Sequence, residues 1–166
     1  MIIISHKVQD DTDALAYLCV KAKDTGNVLL LKRRSHSEIG VNNPGAWEFP
    51  GGHVKKGEHP LQAAVREWNE EVGRELPPGE FKGTFQHGKY DGYIYVIKKE
   101  NEINLSDKGK RIDPDDPDNK HHQLIQWWKI KKIKKEITKG NVRHRLHDVK
   151  WKNIKKASNE KEWYDR

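Results

Sequence analysis

An α/β fold is predicted by three features of this 166-residue chain. An apolar hairpin opens it, one strongly amphipathic helix lies in its middle, and short strands followed by basic helical segments complete it. The length suits one ordinary domain, able to bury roughly two-thirds of its unfolded surface. Residues 1–166 are therefore taken as a single domain with a basic helical region from about residue 129. Six Trp, five Tyr and three Phe provide a core although 34% of the residues are charged and the mean hydropathy is -1.02.

The elements follow in order. Residues 13–22, centred on Leu15-Ala16-Tyr17-Leu18-Cys19-Val20, read as a strand, Asp24-Thr25-Gly26-Asn27 as a turn, and residues 28–32 as the antiparallel partner. A polar loop leads to Ala46-Trp47-Glu48-Phe49, which Pro50-Gly51-Gly52 ends as a flexible glycine loop running to Gly57. The strongest helix begins at Pro60 and stops at Gly73. Its Leu61, Ala64, Val65, Trp68 and Val72 form one apolar stripe at helical spacing. Residues 81–86 and 93–98 read as strands joined by a turn at 88–92, and residues 124–128 as another strand. The long polar connection between the last two carries Asp113-Pro114-Asp115-Asp116-Pro117-Asp118. Beyond Trp128, Ile130, Ile133 and Ile137, then Val142, Leu146 and Val149, mark two basic helices separated by Gly140-Asn141, with a tail expected to fray after Ala157.

No apolar run approaches the ~18–20 residues that cross a bilayer, and Met1-Ile2-Ile3-Ile4 stops at Ser5-His6-Lys7 without a cleavage pattern. A membrane partner is set aside, and a cytoplasmic location is expected. The only cysteine, Cys19, lies in an apolar stretch and reads as a small buried side chain. Of the net charge of +7, residues 129–156 hold twelve Lys/Arg against Glu136 and Asp148, a local +10 that leaves -3 for the rest. Such asymmetry suits a polyphosphate or nucleic-acid surface as well as plain solvated helix faces. The apolar spacing within these helices and the single Trp151 among their lysines favour the solvated reading.

Chemistry concentrates on the central helix. Glu67, Glu70 and Glu71 stand at i, i+3 and i+4, on a face roughly 130° from the apolar stripe at ~100° per residue. Like charges at that spacing repel, and Arg66 offsets part of the cost. An all-oxygen cluster suits hard divalent cations, Mg²⁺ first and Mn²⁺ second, which also bind substrate phosphates. The same triplet alone also describes a solvated helix face.

The surrounding pattern is more specific. Gly52, five residues, Glu58, seven residues, Arg66-Glu67, two residues, Glu70-Glu71, one residue and Gly73 resembles the Nudix box at all seven fixed positions. At average residue usage such a match arises by chance on the order of once in a billion starts. Trp68 and Arg74 replace the usual aliphatics, the first within the apolar stripe and the second at the helix end. The resemblance reaches upstream through Asn43-Pro44-Gly45-Ala46-Trp47-Glu48-Phe49-Pro50-Gly51. The Asp-Pro run with Gln126-Trp127-Trp128 is similar to Nudix domains encoded by tailed bacteriophages. Gln123 stands where such relatives often carry an acid, so a catalytic acid must come from elsewhere.

The resemblance implies an α/β/α sandwich with a mixed sheet, and a pyrophosphohydrolase cleaving a nucleoside diphosphate linked to another moiety. It implies Glu67, Glu70 and Glu71 as metal ligands and in catalysis, the Gly52 carbonyl as a further ligand, and Glu58 paired with Arg66 to lock the loop before the helix. Glu67 is also a candidate to orient the attacking water, its rivals being Glu100, Glu102 and the aspartates of 113–118. Arg33 and Arg34 are candidates for substrate phosphates, and Trp47, Tyr90 and Tyr93 for stacking on a base. His121-His122 has no spaced partner ligand. A small nucleotide is the expected partner. The alternatives are a nucleotide- or nucleic-acid-binding module without turnover, and an RNA 5′-end pyrophosphohydrolase.

Overall fold

Strand β1 (Asp11–Ala22) is paired along both edges, which makes it the axis of a sheet that has seven strands among the described residues. The computed structural model describes residues 11–33, 47–105, 122–137, 139 and 151–156. One edge of β1 runs parallel to β6 (Tyr90–Ile97), from Leu15 opposite Tyr90 to Ala22 opposite Ile97. Its other edge is shared by two antiparallel partners: β4 (Gly51–Lys55) lies against the first half, and β2 (Val28–Arg33) meets it at Lys21 opposite Val28. Strand β3 (Trp47–Glu48) and β7 (His122–Trp128) flank β2, and β5 (Gly79–His87) closes the far edge on β6. The sheet is mixed, as expected.

Period-two alternation gives each face its own layer. Ala16, Leu18, Val20, Leu29, Leu31 and Ile125 meet the helix α1 (Pro60–Val72) through Ala63, Ala64, Trp68 and Val72. Tyr17, Cys19, Val28, Leu30, Ile94 and Val96 meet α2 (Ile130–Ile137) and α3 (Trp151–Lys156) on the opposite face. The result is the expected α/β/α sandwich. Among the described residues, no helix is long and apolar enough to cross a membrane.

Helix α1 has the predicted bounds because both ends are capped. The His59 ring accepts the Leu61 N–H at 3.1 Å, and Gln62 accepts the His59 N–H at 3.1 Å. Gly73, at φ 70°, takes the left-handed conformation that ends the helix. The buried face is rotated from the expected stripe. Leu61 and Val65 are only half-buried, whereas Ala63 and Glu71 are buried. The physical reason is β4, which packs beside α1 and covers the Glu71 side.

Two other expectations change. The loop expected from Gly51 to Gly57 contains the strand β4, paired to β1 at Leu15, Ala16 and Tyr17. The β5–β6 turn is tighter than 88–92, because pairing with β1 begins at Tyr90. Helix α2 buries Ile130 and Ile133 as its spacing predicts, whereas the helix expected through Val142, Leu146 and Val149 lies outside the described residues. Helix α3 buries Trp151 and Ile154.

Candidate active site

The pairing of β4 with β1 presents a glycine pair to α1. A Cβ on Gly51 would stand 2.4 Å from the Ala16 carbonyl oxygen and 2.1 Å from the Tyr17 ring, so only hydrogen fits. A Cβ on Gly52 would stand 2.7 Å from the Glu67 carboxyl group. The bare backbone of 51–52 therefore approaches the carboxylates of α1 directly. The Gly51 N–H donates to Glu71 Oε1 at 2.8 Å, and Glu71 is only 7% exposed. Glu71 was expected on an outer face; it is buried because this donor and β4 cover it.

Arg66 organises the remaining carboxylates. Its Nε donates to Glu58 Oε2 at 2.9 Å and its Nη2 to Glu58 Oε1 at 3.1 Å, a two-pronged ion pair. Its Nη1 donates to Glu67 at 3.0 Å and reaches both Glu70 oxygens at 3.4 Å. The Nη2 also donates to the His53 carbonyl at 3.0 Å, tying β4 to α1. Glu58 closes the turn from the other side by accepting the Lys55 N–H at 3.0 Å. The Arg66 bond holds the Glu58 carboxyl below the usual carboxylate range, burial opposing it and the Lys55 N–H assisting. Glu58 in turn raises the Arg66 pKa, against burial and with help from Glu67 and Glu70.

One guanidinium thus stands among Glu58, Glu67 and Glu70, with Glu71 one residue further along the helix. The site carries excess negative charge on hard oxygen donors, a donor set that fits a small divalent cation. Among the described residues, no three acidic, His or Cys side chains already surround a single metal position. Glu67 and Glu70 instead face Arg66, and Glu71 faces the Gly51 N–H.

The structure brings Gly52, Glu58, Arg66, Glu67, Glu70 and Glu71 together as the sequence predicts. It does not bring Trp47 to them. Trp47 is 9% exposed and packs edge-on against Trp128, ring centroids 5.1 Å apart, in the layer opposite α1. Tyr93 lies half-buried on the α1 face, where burial first and Asp91 second raise its pKa. Tyr90 packs edge-on against Tyr17, in the layer opposite α1. Arg33 ends β2, but its side chain, Arg34 and the aspartates of 113–118 lie outside the described residues. Glu100 accepts from Thr25 and Asn27 at the β1–β2 turn, and Glu102 accepts the Lys99 N–H. Glu48 was not anticipated. It is 5% exposed and pairs with Leu31, which places a further carboxylate on the α1 face of the sheet. The available signal was its position between Trp47 and Phe49, which both face the other layer.

Helices cover both faces of a mixed sheet, and an arginine-centred glutamate cluster on one of them stands against a glycine pair, which defines an α/β/α protein with an acidic site. The family model for the NUDIX domain matches residues 12–163, and the chain belongs to that family. Nudix hydrolases generally use divalent metals. The chain is 41% identical over 61 residues to the CTP pyrophosphohydrolase of Escherichia coli (strain K12), covering 37% of this chain and 42% of that protein. It is 37% identical over 68 residues to the 8-oxo-dGTP diphosphatase of Proteus vulgaris, covering 41% and 57%. The chain thus spans about half the length of the curated relatives it matches. The fold is similar to that of a C. elegans Ap4A hydrolase, with a TM-score of 0.54 and 21% identity over 87% of this chain and 96% of that one.

Proposed function

We propose that the chain is a Mg²⁺-dependent pyrophosphohydrolase that cleaves a nucleoside diphosphate linked to another moiety, Mn²⁺ being the alternative metal. The observation that carries this reading is the Arg66-centred cluster of Glu58, Glu67 and Glu70 beside Gly51–Gly52, with Glu71 bonded to Gly51. The two relatives named above, one acting on CTP and one on 8-oxo-dGTP, support a small nucleotide as substrate. The working unit is a single domain over residues 1–166, and its setting is the cytoplasm.

Glu67, Glu70 and Glu71 would hold the metal, together with the Gly52 carbonyl. A bound divalent cation neutralises phosphate oxygens and lowers the pKa of a coordinated water. Glu58 and Arg66 hold β4 and α1 in register, so that the Gly52 backbone stays opposite the Glu67 carboxylate. Glu67, whose carboxyl group occupies the space a Gly52 side chain would need, would orient the attacking water. Arg33 and Arg34, leaving β2, meet the substrate phosphates, and Tyr93 offers its ring to the base. Trp47 supports the sheet from the opposite layer.

The test is turnover of nucleoside triphosphates, oxidised nucleotides, ADP-ribose, dinucleoside polyphosphates and capped RNA, with Mg²⁺ and with Mn²⁺, scoring both products. Glu70→Gln and Glu71→Gln keep the helix and remove a charge. Each is expected to lose about 2–3 kcal/mol of transition-state stabilisation, roughly 30- to 150-fold in rate. Near-normal turnover in both variants overturns the site assignment, and no turnover by the unaltered chain overturns the reading as an enzyme.

A further inference from the structure

Among the described residues, one lysine is buried in the core, and it stands outside the glutamate cluster. Lys21 is 2% exposed on β1, on the face shared with Tyr17 and Cys19, and its Nζ donates to the carbonyls of Ile154 at 2.8 Å and Lys155 at 2.9 Å. Those carbonyls belong to the last turn of α3, where backbone acceptors have no partner within the helix and where a cation is favoured. At the other end of α3, Trp151 packs on Phe49 with ring centroids 5.7 Å apart, and Phe49 packs on Phe85 at 5.8 Å. Phe49 is followed by Pro50, whose carbonyl accepts the Leu18 N–H at 2.9 Å, and then by Gly51, whose N–H is bonded to Glu71.

We propose that α3 is part of the active-site scaffold, with Trp151 a positioning residue that acts through Phe49 on the Gly51–Gly52 backbone and Lys21 the latch that holds α3 in place. The proposal rests on the metal-dependent reading of the glutamate cluster for its functional consequence, but not for its mechanical part.

Three physical points carry it. Phe49 is 3% exposed and wedged between Trp151 and Phe85, so it cannot move without vacating packed volume. Gly51 and Gly52 are joined to Phe49 through Pro50, whose fixed φ leaves little slack for a displacement to be absorbed. A shift of Phe49 therefore appears at the Gly51 N–H that orients Glu71. Lys21 makes the docking of α3 specific in register. A buried ammonium that lost either carbonyl would carry the cost of desolvation unpaid, so α3 is held where both carbonyls reach Nζ. A helix more than ninety residues downstream of the glycine pair thereby sets the position of the backbone opposite the carboxylates.

The experiment uses the full chain with three variants, two readouts and a control. Trp151→Ala removes the wedge, Trp151→Phe restores most of it, and Lys21→Met keeps the buried stem while removing the donors. The control is Ile97→Ala, equally buried but paired with Ala22 at the end of the sheet away from β4. The readouts are hydrogen exchange at the Gly51 amide and the midpoint of Mn²⁺ binding without substrate. Trp151→Ala and Lys21→Met are expected to speed Gly51 exchange about tenfold beyond the change in global stability and to raise the Mn²⁺ midpoint about fivefold. Trp151→Phe recovers most of both, and Ile97→Ala moves neither beyond its loss of stability. If Trp151→Ala does not fold, Lys21→Met and Trp151→Phe decide the matter. Variants that merely lose stability, with Gly51 exchange and Mn²⁺ affinity behaving as in Ile97→Ala, overturn the proposal. If the unaltered chain binds no Mn²⁺, the metal reading fails, and Gly51 exchange alone decides whether α3 positions that backbone.

Discussion

At the scale of single residues, the electrostatic centre of the site is the pair Glu58–Arg66, and its energetics are visible in pH dependence. Arg66 holds the Glu58 carboxyl below its ordinary range, so between the folded and unfolded pKa values the native state binds fewer protons than the unfolded chain. The stabilisation is fully present above about pH 4–5 and is lost as pH falls through the lower, folded value. Replacing Glu58 with Gln removes this dependence. The urea midpoints of the two proteins should differ most near neutral pH and converge on acidification below the ordinary carboxylate range. A gap that stayed constant down to pH 3 would mean that the ion pair contributes nothing to folding.

The resemblance to the Nudix box picked out Gly52, Glu58, Arg66, Glu67, Glu70 and Glu71 in the sequence, whereas the helical spacing of the three glutamates alone also describes a solvated face. Burial was not legible in the same way. Glu71 is 7% exposed although nothing in its own neighbourhood announces it, and Glu48 is 5% exposed with only its place between Trp47 and Phe49 to signal it. Glu71 is covered by β4 and bonded by Gly51, and Glu48 is placed by its pairing with Leu31. Both depend on contacts across the fold. Lys21 misleads for the same reason: it sits in an apolar strand, and its partners are carbonyls more than 130 residues away.

At the scale of elements, α1 was readable because its signals are local: a proline at its start, a stripe at helical spacing, a glycine at its end. Strand β4 was hidden by its two glycines, which suggest a loop until Tyr17 and Glu67 are seen occupying the space their side chains would need. The centre of α1 gives a direct measure of how the element is held. Trp68 is fully buried against the sheet, and its indole N–H donates to the Arg74 carbonyl at 2.9 Å. Arg74 is accommodated at the helix end because its side chain donates to the Val72 and Asn104 carbonyls and does not enter the core. Trp68→Ala should cost about 3–5 kcal/mol in urea unfolding, through lost contacts and the cavity left behind. Trp68→Phe, which keeps much of the volume, should cost less. A loss below ~1 kcal/mol for the alanine variant would show that α1 is held by its glutamate contacts and not by packing.

At the scale of the whole molecule, the parallel pairing of β1 with β6 was beyond sequence reading, since it joins strands about seventy residues apart and leaves no periodic trace. The charge asymmetry was fully legible, and the fold decides what it does. Helix α2 turns Ile130 and Ile133 into the layer opposite α1 and leaves Lys131, Lys132, Lys134 and Lys135 exposed. Lys132 stands over the Trp128 ring, 4.9 Å from its centroid, and so caps the core as well as being solvated. These lysines lie in the layer opposite the glutamate helix, with no exposed aromatic residue among them on α2 to stack a base. The double variant Lys131→Glu, Lys134→Glu should therefore leave small-nucleotide turnover within about twofold, because screening over a Debye length of ~8–10 Å mutes exposed charges that do not adjoin the site. Affinity for a short single-stranded RNA should be weak and fall only shallowly with salt, at a log-log slope well short of the ~-0.7 per phosphate that a tracked backbone would accumulate over several contacts. A steep salt dependence abolished by this double variant, with turnover of the small nucleotide intact, would instead make the basic layer a nucleic-acid surface.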